Sequence, residues 1–228
     1  MSKTFWGVLA AIVIIFAGVF FATHHASGKK GSSGSTVAAT NHVEGGGSTG
    51  VKLVEYGDYE CPYCEEYYPI VKQVVANEFS KITFQFRNYP LTSIHPNAFA
   101  GARAAEAAGL MGKFWQMHDT LYNTSNWQQW STSSNPTPYF DQYAKQLGLN
   151  LTTFEADYAS SKVNNMIQAD MTAGNNLNIQ GTPTFYLDGK QINVAPQVSA
   201  FEKLINQAIA NKGKVTKTSS GATAQTKK

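Results

Sequence analysis

The chain has 228 residues, only two of which are cysteines, and a formal net charge of +3 at pH 7. Two cysteines exclude a scaffold held together by several disulfides. The positive charge lies at the two ends, since residues 51–211 carry ten Lys and Arg against fourteen Asp and Glu, and this composition does not favour nucleic-acid binding.

The N-terminus contains a long apolar run. Residues Phe5 to Ala22 carry no charge, and about eighteen apolar residues are near the lower limit for crossing a bilayer. We therefore expect residues 1–26 to form an uncleaved transmembrane helix that anchors the protein. The small residues Ala26 and Gly28 leave cleavage after Gly28 as the alternative.

Two polar segments flank the part of the chain that has enough apolar residues to fold. Residues 27–50 are rich in Gly, Ser, Thr and Ala and predict a flexible linker. Residues 212–228 are polar and basic and predict a disordered tail. Between them, residues 51–211 are ample for one hydrophobic core and therefore for one domain.

The domain begins with a strand that leads into the two cysteines. An apolar segment at residues 51–56 predicts the strand, and the apolar residues after Cys64 recur at helical spacing. Pro62 is tolerated in the first turn of a helix, because the N–H that proline lacks would have no partner there. Cys61 is therefore predicted at a helix N-terminus, where unpaired N–H groups and the helix dipole stabilise a thiolate.

The spacing of Cys61 and Cys64 suits thiol–disulfide exchange. Cys61, the outer residue, is predicted to attack, and Cys64 lies one turn further in and can close a small disulfide ring. A zinc site would need about four ligands and would have to recruit His95 and His118 from distant segments. A purely structural disulfide would close a very short loop, where the entropic contribution is smallest. A strand followed by a helix favours the redox interpretation.

The remaining elements complete an α/β pattern. Residues 82–87 alternate apolar and polar side chains and predict a strand, so the domain starts with a βαβ unit whose strands are parallel. Helical segments are predicted at residues 96–108, 113–123, 139–147, 151–159 and 162–176. A strand at 181–187, a turn at Asp188-Gly189, an edge strand at 191–194 and an amphipathic helix at 197–210 follow. The predicted order is βαβ, a helical insertion at about residues 92–178, and ββα.

Five motifs of the chain, in this order, resemble those of a known family. They are Glu55-Tyr56-x-Asp58-x-Glu60-Cys61-Pro62-Tyr63-Cys64, Phe86-Arg87-Asn88-Tyr89-Pro90-Leu91, His95-Pro96-Asn97-Ala98, Gly112-Lys113-Phe114-Trp115-x-Met117-His118-Asp119 and Gly181-Thr182-Pro183-Thr184-Phe185. Together they resemble the DsbA-like thiol:disulfide oxidoreductases of the thioredoxin superfamily, most closely the membrane-anchored bacterial branch. The resemblance covers residues 51–211. It implies a thioredoxin fold interrupted by a helical domain, and no metal or organic cofactor beyond the redox-active Cys61–Cys64 disulfide.

The resemblance also implies roles for residues outside the cysteine pair. Pro183 is expected to follow a cis peptide bond and to lie against the cysteines, with Thr182 offering its backbone to an extended substrate. The alternative for Pro183 is an ordinary trans proline at the start of a strand. Pro62 and Tyr63 are expected to contact substrate as well.

Three carboxylates near the cysteines carry further predictions. Glu55 is expected to be buried with a raised pKa and to relay the proton of Cys64, the alternative being a solvated residue at the strand end. Asp58 and Glu60 are expected to oppose a thiolate electrostatically, and Tyr63 adds no positive charge. We therefore expect a weaker oxidant than relatives that carry histidine at the position of Tyr63.

These observations predict an enzyme that introduces disulfides into reduced, unfolded or partly folded polypeptides. A domain whose only cysteines are reactive suits an oxidising compartment, so we expect it outside the cytoplasmic membrane, on a single-pass anchor. The resemblance implies a quinone-linked membrane protein as the reoxidising partner. A disulfide reductase or isomerase with the same site is the nearest alternative, and a metal- or peptide-binding module is the alternative from another class.

Overall fold

A five-stranded mixed sheet forms the centre of the molecule. The computed structural model describes residues 38–222, with side chains up to residue 214. The strands follow the order β1-β3-β2-β4-β5 across the sheet. Their bounds are β1 (His42–Glu44), β2 (Val51–Gly57), β3 (Ile82–Asn88), β4 (Thr184–Leu187) and β5 (Lys190–Ile192).

The predicted βαβ unit places the cysteine motif at the edge of this sheet where β2 ends. β2 and β3 are parallel, and helix α1 (Pro62–Glu78) joins them. β2 is central, since it also pairs antiparallel with β4. At its end, a Cβ on Gly57 would lie 2.4 Å from the Phe86 ring. Only glycine fits this close approach, after which the chain turns into the cysteines.

Six helices lie between β3 and β4 and form the predicted helical insertion. They are α2 (Ala98–Leu110), α3 (Phe114–Tyr122), α4 (Thr124–Ser131), α5 (Thr137–Gln146), α6 (Leu151–Ala159) and α7 (Ser161–Asn176). The alanine-rich α2 is at their centre and contacts α3, α5, α6 and α7. Its buried alanines have little side-chain volume, so neighbouring helices can pack closely around it.

The sequence did not predict helix α4. Its segment is mostly Ser, Thr, Asn and Gln, which are poor indicators of a helix. The Asn123 side chain caps it by accepting a hydrogen bond from Asn126 N. Trp130 is fully buried and Trp127 donates to the Tyr59 carbonyl at 2.8 Å. Two tryptophans three residues apart therefore provide the packing that the rest of the segment lacks.

The expected linker at residues 27–50 is wrong in its second half, because the chain joins the sheet before residue 51. His42–Glu44 forms β1, which pairs antiparallel with β3 at the edge of the sheet. Thr40 donates to buried Asp170 from both its backbone N, at 2.7 Å, and its Oγ1, at 2.6 Å. Buried partners on distant helices hold this segment, and a composition-based prediction does not detect them.

The expected disordered tail is also wrong where the structure describes it. Helix α8 (Val198–Ala222) continues past residue 211, where the domain was predicted to end. Lys212 donates to Asp188 Oδ1 at 2.9 Å and to the carbonyl of Gly50. Asp188 has φ 50° and Gly189 φ 79°, so the predicted hairpin turn is confirmed and provides this contact.

The predicted membrane anchor at residues 1–26 lies outside the described residues, as do residues 223–228 of the predicted tail. Within residues 38–222, no helix has both the length and the apolarity needed to cross a bilayer.

Candidate active site

Cys61 lies at the N-terminus of α1, as the sequence predicted. It is the N-cap residue, with φ −69° and ψ 122°, and Pro62 occupies the first helical turn. The chain reaches this position through a turn in which the Cys61 N–H donates to the Asp58 carbonyl at 3.1 Å. The Cys61 sulfur is therefore held at the positive end of a 17-residue helix.

The Cys61 thiol is the more acidic and more accessible of the two. Both cysteines are free thiols, and Cys61 keeps 3 % of its surface exposed against 0 % for Cys64. The hydrogen bond from the Cys64 thiol lowers the pKa of Cys61 to about 6, aided by Thr182 and by the backbone N–H groups of Cys64 and Tyr63, and opposed by burial. The thiolate is therefore the favoured form of Cys61 at neutral pH.

The Cys64 thiol has the opposite character. Burial raises the pKa of Cys64 well above its ordinary value, and the charges of Cys61 and Glu55 raise it further. The Asp58 backbone N–H, 3.5 Å from the Cys64 sulfur, acts in the other direction. Cys64 is thus a protonated thiol next to a thiolate, and it must lose its proton before it can attack.

Glu55 is buried in the centre of the sheet. It lies on β2 between Phe86 of β3 and Phe185 of β4 and keeps 4 % of its surface exposed. Burial, followed by the charge of Cys61, raises the pKa of Glu55 to about 8. The alternative of a solvated strand-end carboxylate is therefore wrong. The predicted proton relay to Cys64 stays a prediction.

Glu55 also lines a cavity of about 190 Å³ that reaches the surface beside Lys72 and Asp119. Most of its other walls are apolar and aromatic side chains of α1, β3 and α3. Lys72 and Asp119 form an exposed ion pair of 2.5 Å at its rim. Water can reach a buried carboxyl through a cavity of this kind.

Thr182 and Pro183 lie beside Cys61. The peptide bond between them is cis, as the resemblance implied. The Cys61 thiol donates to the Thr182 carbonyl at 3.3 Å. Among the described residues, the buried Thr182 hydroxyl has no hydrogen-bond partner. It is therefore available to donate to the Cys61 sulfur once that sulfur is charged.

A groove of about 310 Å³ runs past this point. Tyr63, Thr182, Pro183 and Phe185 contribute to its lining. Tyr63 is 65 % exposed, so an aromatic ring next to Cys61 is presented to solvent. Pro62 is exposed at the start of α1 and is not part of the groove lining. Tyr63 and Thr182, two of the three residues predicted to contact substrate, therefore share one surface with Pro183.

Asp58 and Glu60 were expected to disfavour the Cys61 thiolate by charge repulsion. In the structure, both carboxylates are bonded to other groups. Asp58 accepts hydrogen bonds from His95 Nδ1 at 2.7 Å and from Leu91 N at 2.9 Å. Glu60 accepts from Asn97 N at 2.5 Å. The largest effects on the pKa of Cys61 come from Cys64, burial and Thr182, and not from these two carboxylates. The prediction of a weaker oxidant therefore depends mainly on Tyr63.

The two histidines considered as zinc ligands have other partners. His95 is bonded to Asp58, a contact that the sequence did not predict although both residues belong to the five motifs. His118 is bonded to the Tyr59 hydroxyl at 2.9 Å, and burial lowers its pKa to about 3. Among residues 38–222, no three His, Cys, Asp or Glu side chains are grouped so that they could hold a metal ion.

Comparison with known proteins supports this description. A family model described as thioredoxin matches residues 37–207. The Na(+)/H(+) antiporter NhaA 1 of Salinispora arenicola is 34 % identical over 170 residues, which are 75 % of this chain and 25 % of the antiporter. The chain spans about a quarter of the length of the curated relatives it matches.

Two solved structures share the fold. A thioredoxin-like oxidoreductase from Silicibacter pomeroyi DSS-3 has a TM-score of 0.62 at 24 % identity, covering 74 % of this chain and 91 % of that one. The thiol-disulfide exchange protein alpha-DsbA2 from Wolbachia pipientis has a TM-score of 0.63 at 18 % identity, covering 74 % and 87 %. The predicted α/β fold of thioredoxin type with inserted helices is confirmed.

Proposed function

This chain belongs to the thioredoxin family, and from that premise we propose that it is a thiol:disulfide oxidoreductase that introduces disulfides into reduced polypeptides. The observation that carries the proposal is the position of Cys61. Its sulfur lies at the N-terminus of a helix with a pKa of about 6, next to a protonated Cys64 and beside a groove with an exposed aromatic ring.

The exchange proceeds in two steps. A substrate thiolate attacks Cys61 of the Cys61–Cys64 disulfide, the bond between the cysteines breaks, and Cys64 leaves as a thiolate that takes up a proton. A second substrate thiolate then attacks the substrate sulfur bound to Cys61, and Cys61 leaves. Two electrons pass from the substrate dithiol to the enzyme, and the substrate gains a disulfide.

The charge on Cys61 favours the oxidising direction. A low pKa means that the reduced enzyme is stabilised as the thiolate, so the disulfide form gives up its bond readily. The raised pKa of Glu55 supports a proton-transfer role, because a carboxyl with a pKa of about 8 can give and take a proton near neutral pH. A reductase or isomerase uses the same residues, and the redox equilibrium distinguishes these activities.

The setting of the reaction is part of the same proposal. We place the domain outside the cytoplasmic membrane on an N-terminal anchor, where unfolded chains arrive reduced. A quinone-linked membrane protein returns Cys61 and Cys64 to the disulfide. What supports this is the N-terminal apolar run and the absence of any further cysteine in the chain.

The proposal is tested with a reduced, unfolded polypeptide that contains a pair of cysteines. The oxidised protein is expected to consume the free thiols of the polypeptide stoichiometrically. The substitution Cys61→Ser is expected to abolish the reaction. Cys64→Ala is the matched variant, and it is given the same polypeptide with its disulfide already formed. Its Cys61 thiolate should attack that disulfide and release one polypeptide thiolate, and the mixed disulfide should accumulate because no Cys64 thiol is present to resolve it. An oxidised wild type that leaves the thiols untouched contradicts the proposal. The equilibrium of the same pair with glutathione then separates an oxidase from a reductase.

A further inference from the structure

Asp58 joins the cysteine motif to its surroundings through its backbone. Its N–H faces the Cys64 sulfur at 3.5 Å. Its carbonyl accepts from the Cys61 N–H and from the Tyr122 hydroxyl, each at 3.1 Å. The peptide unit before Asp58 therefore contacts Cys64, and the peptide unit after it contacts Cys61.

The Asp58 carboxylate is fully buried and satisfied by three donors. Oδ1 accepts from the Glu60 N–H at 2.8 Å. Oδ2 accepts from the Leu91 N–H at 2.9 Å and from His95 Nδ1 at 2.7 Å. These donors belong to the turn before α1 and to the loop after β3. The carboxylate thus fixes the turn relative to a second, independent segment.

Within the proposed function, we propose that Asp58 is a positioning residue for the Cys64 step. Its carboxylate, held by His95 and by the Leu91 N–H, keeps the Asp58 backbone N–H directed at the Cys64 sulfur, and this donor stabilises the thiolate that forms there. In the oxidising direction the thiolate forms when Cys64 leaves. In the reverse direction it forms when Cys64 loses its proton and attacks Cys61. The same N–H serves both directions.

The charges around Cys64 make the Asp58 backbone N–H important for stabilising the Cys64 thiolate. Burial and the negative charges of Cys61 and Glu55 disfavour a charged Cys64, and the buried Tyr122 hydroxyl next to it is also titratable. The Asp58 backbone N–H acts against these effects. Glu60 is the other charged group that faces the pair of Asp58 and His95, and it is bonded to Asn97. In a buried site, a small displacement of one donor therefore has a large effect on the charged sulfur.

The test uses the full reduced protein and excess oxidised glutathione. In the first phase the Cys61 thiolate attacks and one glutathione leaves. In the second phase Cys64 loses its proton, attacks Cys61 and displaces the second glutathione, so the Cys61–Cys64 bond forms and two electrons pass to glutathione. Acid quenching and mass measurement of the mixed disulfide separate the phases. The second phase is independent of glutathione concentration.

We expect Asp58→Asn to slow the second phase about tenfold and to move its pH profile about one unit upward, because an amide donor replaces an acceptor that faces N–H groups. The first phase should keep its rate and pH profile. His95→Ala should show the same pattern, and His95→Asn, which can still donate to Oδ2, should restore most of the rate. Glu155→Gln removes an exposed carboxylate and is the control for charge.

The outcomes distinguish the positioning role of Asp58 from the proposed function. If wild type shows both phases and Asp58→Asn and His95→Ala match Glu155→Gln, the positioning role is overturned and the proposed function stands. Equal slowing of both phases, or no rescue by His95→Asn, also overturns it, since a general loss of structure would explain such a result. A wild type that releases no glutathione contradicts the proposed function itself.

Discussion

The two thiols of the site have opposite pKa shifts although they lie one helical turn apart. The hydrogen bonds from Cys64 and from backbone N–H groups stabilise the Cys61 thiolate and lower its pKa to about 6. Cys64 lies further in, where burial raises its pKa well above the ordinary value. One helical turn of depth therefore separates an acidic thiol from a buried, protonated one, as the proposed exchange requires.

Glu55 makes the stability of the domain depend on pH. Its pKa is raised from 4.5 to about 8, so its contribution to stability is fully present below pH 4.5 and is lost as the pH rises through 8. In Glu55→Gln this loss is absent. In the disulfide form, where no Cys61 thiolate is present, we expect this variant to be more stable than wild type at pH 8 by roughly 2–4 kcal/mol. Urea unfolding at pH 4 and pH 8 measures the difference.

Glu155→Gln provides the comparison, because an exposed carboxylate should leave the pH dependence unchanged. The same Glu55→Gln protein should resolve the glutathione mixed disulfide more slowly than wild type, by about 10²-fold, if Glu55 transfers the proton of Cys64. A variant with the stability gain but an unchanged resolution rate would leave Glu55 buried and without a role in proton transfer.

At the level of elements, the sequence predicted what is periodic and missed what depends on distant partners. The strands around Leu53 and Phe84 alternate or repeat apolar residues, and Leu151–Ala159 was predicted with its observed bounds. Helix α4 and strand β1 were missed. Trp130 packs in the core of the insertion, and Thr40 is held by Asp170, which lies 130 residues away in the sequence. Such contacts are visible only after the chain has folded.

Asp170 connects three elements and is expected to be important for stability. It is fully buried and accepts from Thr40, from the Asn88 N–H at 3.0 Å and from Arg87 Nη1 at 3.0 Å. Asp170→Asn places an amide among these donors and leaves Arg87 without its carboxylate. We expect a loss of about 3 kcal/mol in the free energy of unfolding, measured with urea. Glu155→Ala, on the exposed side of α6, should cost far less. Equal losses in the two variants would contradict this account.

At the level of the molecule, residues 40–50 belong to the folded domain. β1 completes the sheet edge, Thr40 satisfies Asp170, and His42 Nε2 lies 2.9 Å from both oxygens of buried Glu106. A chain that begins at residue 51 exposes β3 as an edge strand and leaves both carboxylates without these partners.

We expect such a shortened chain to lose about 3 kcal/mol or more in stability relative to a chain that begins at residue 38. Combining the truncation with Asp170→Asn should cost less than the sum of the two losses, because both remove the contact between Thr40 and Asp170. Strict additivity, or a truncation without effect, would show that the sheet holds without this segment.

The geometry of the candidate active site was predicted largely from the sequence because its parts are local. Cys61, Pro62 and Cys64 lie on one helical turn, and the cis Thr182-Pro183 bond was implied by family resemblance. The bond between Asp58 and His95 was not predicted, since no periodicity or spacing relates the turn before α1 to the loop after β3.

The pH dependence of Cys61 alkylation in the reduced protein tests whether this sulfur is a stabilised thiolate. Because the thiolate is the reactive form, the rate constant for iodoacetamide should rise along a titration curve with a midpoint near pH 6. Mass measurement should place the first modification on Cys61, with Cys64 unmodified. A midpoint near pH 9, or first modification of Cys64, would contradict the account of Cys61 as a stabilised nucleophile at the helix N-terminus.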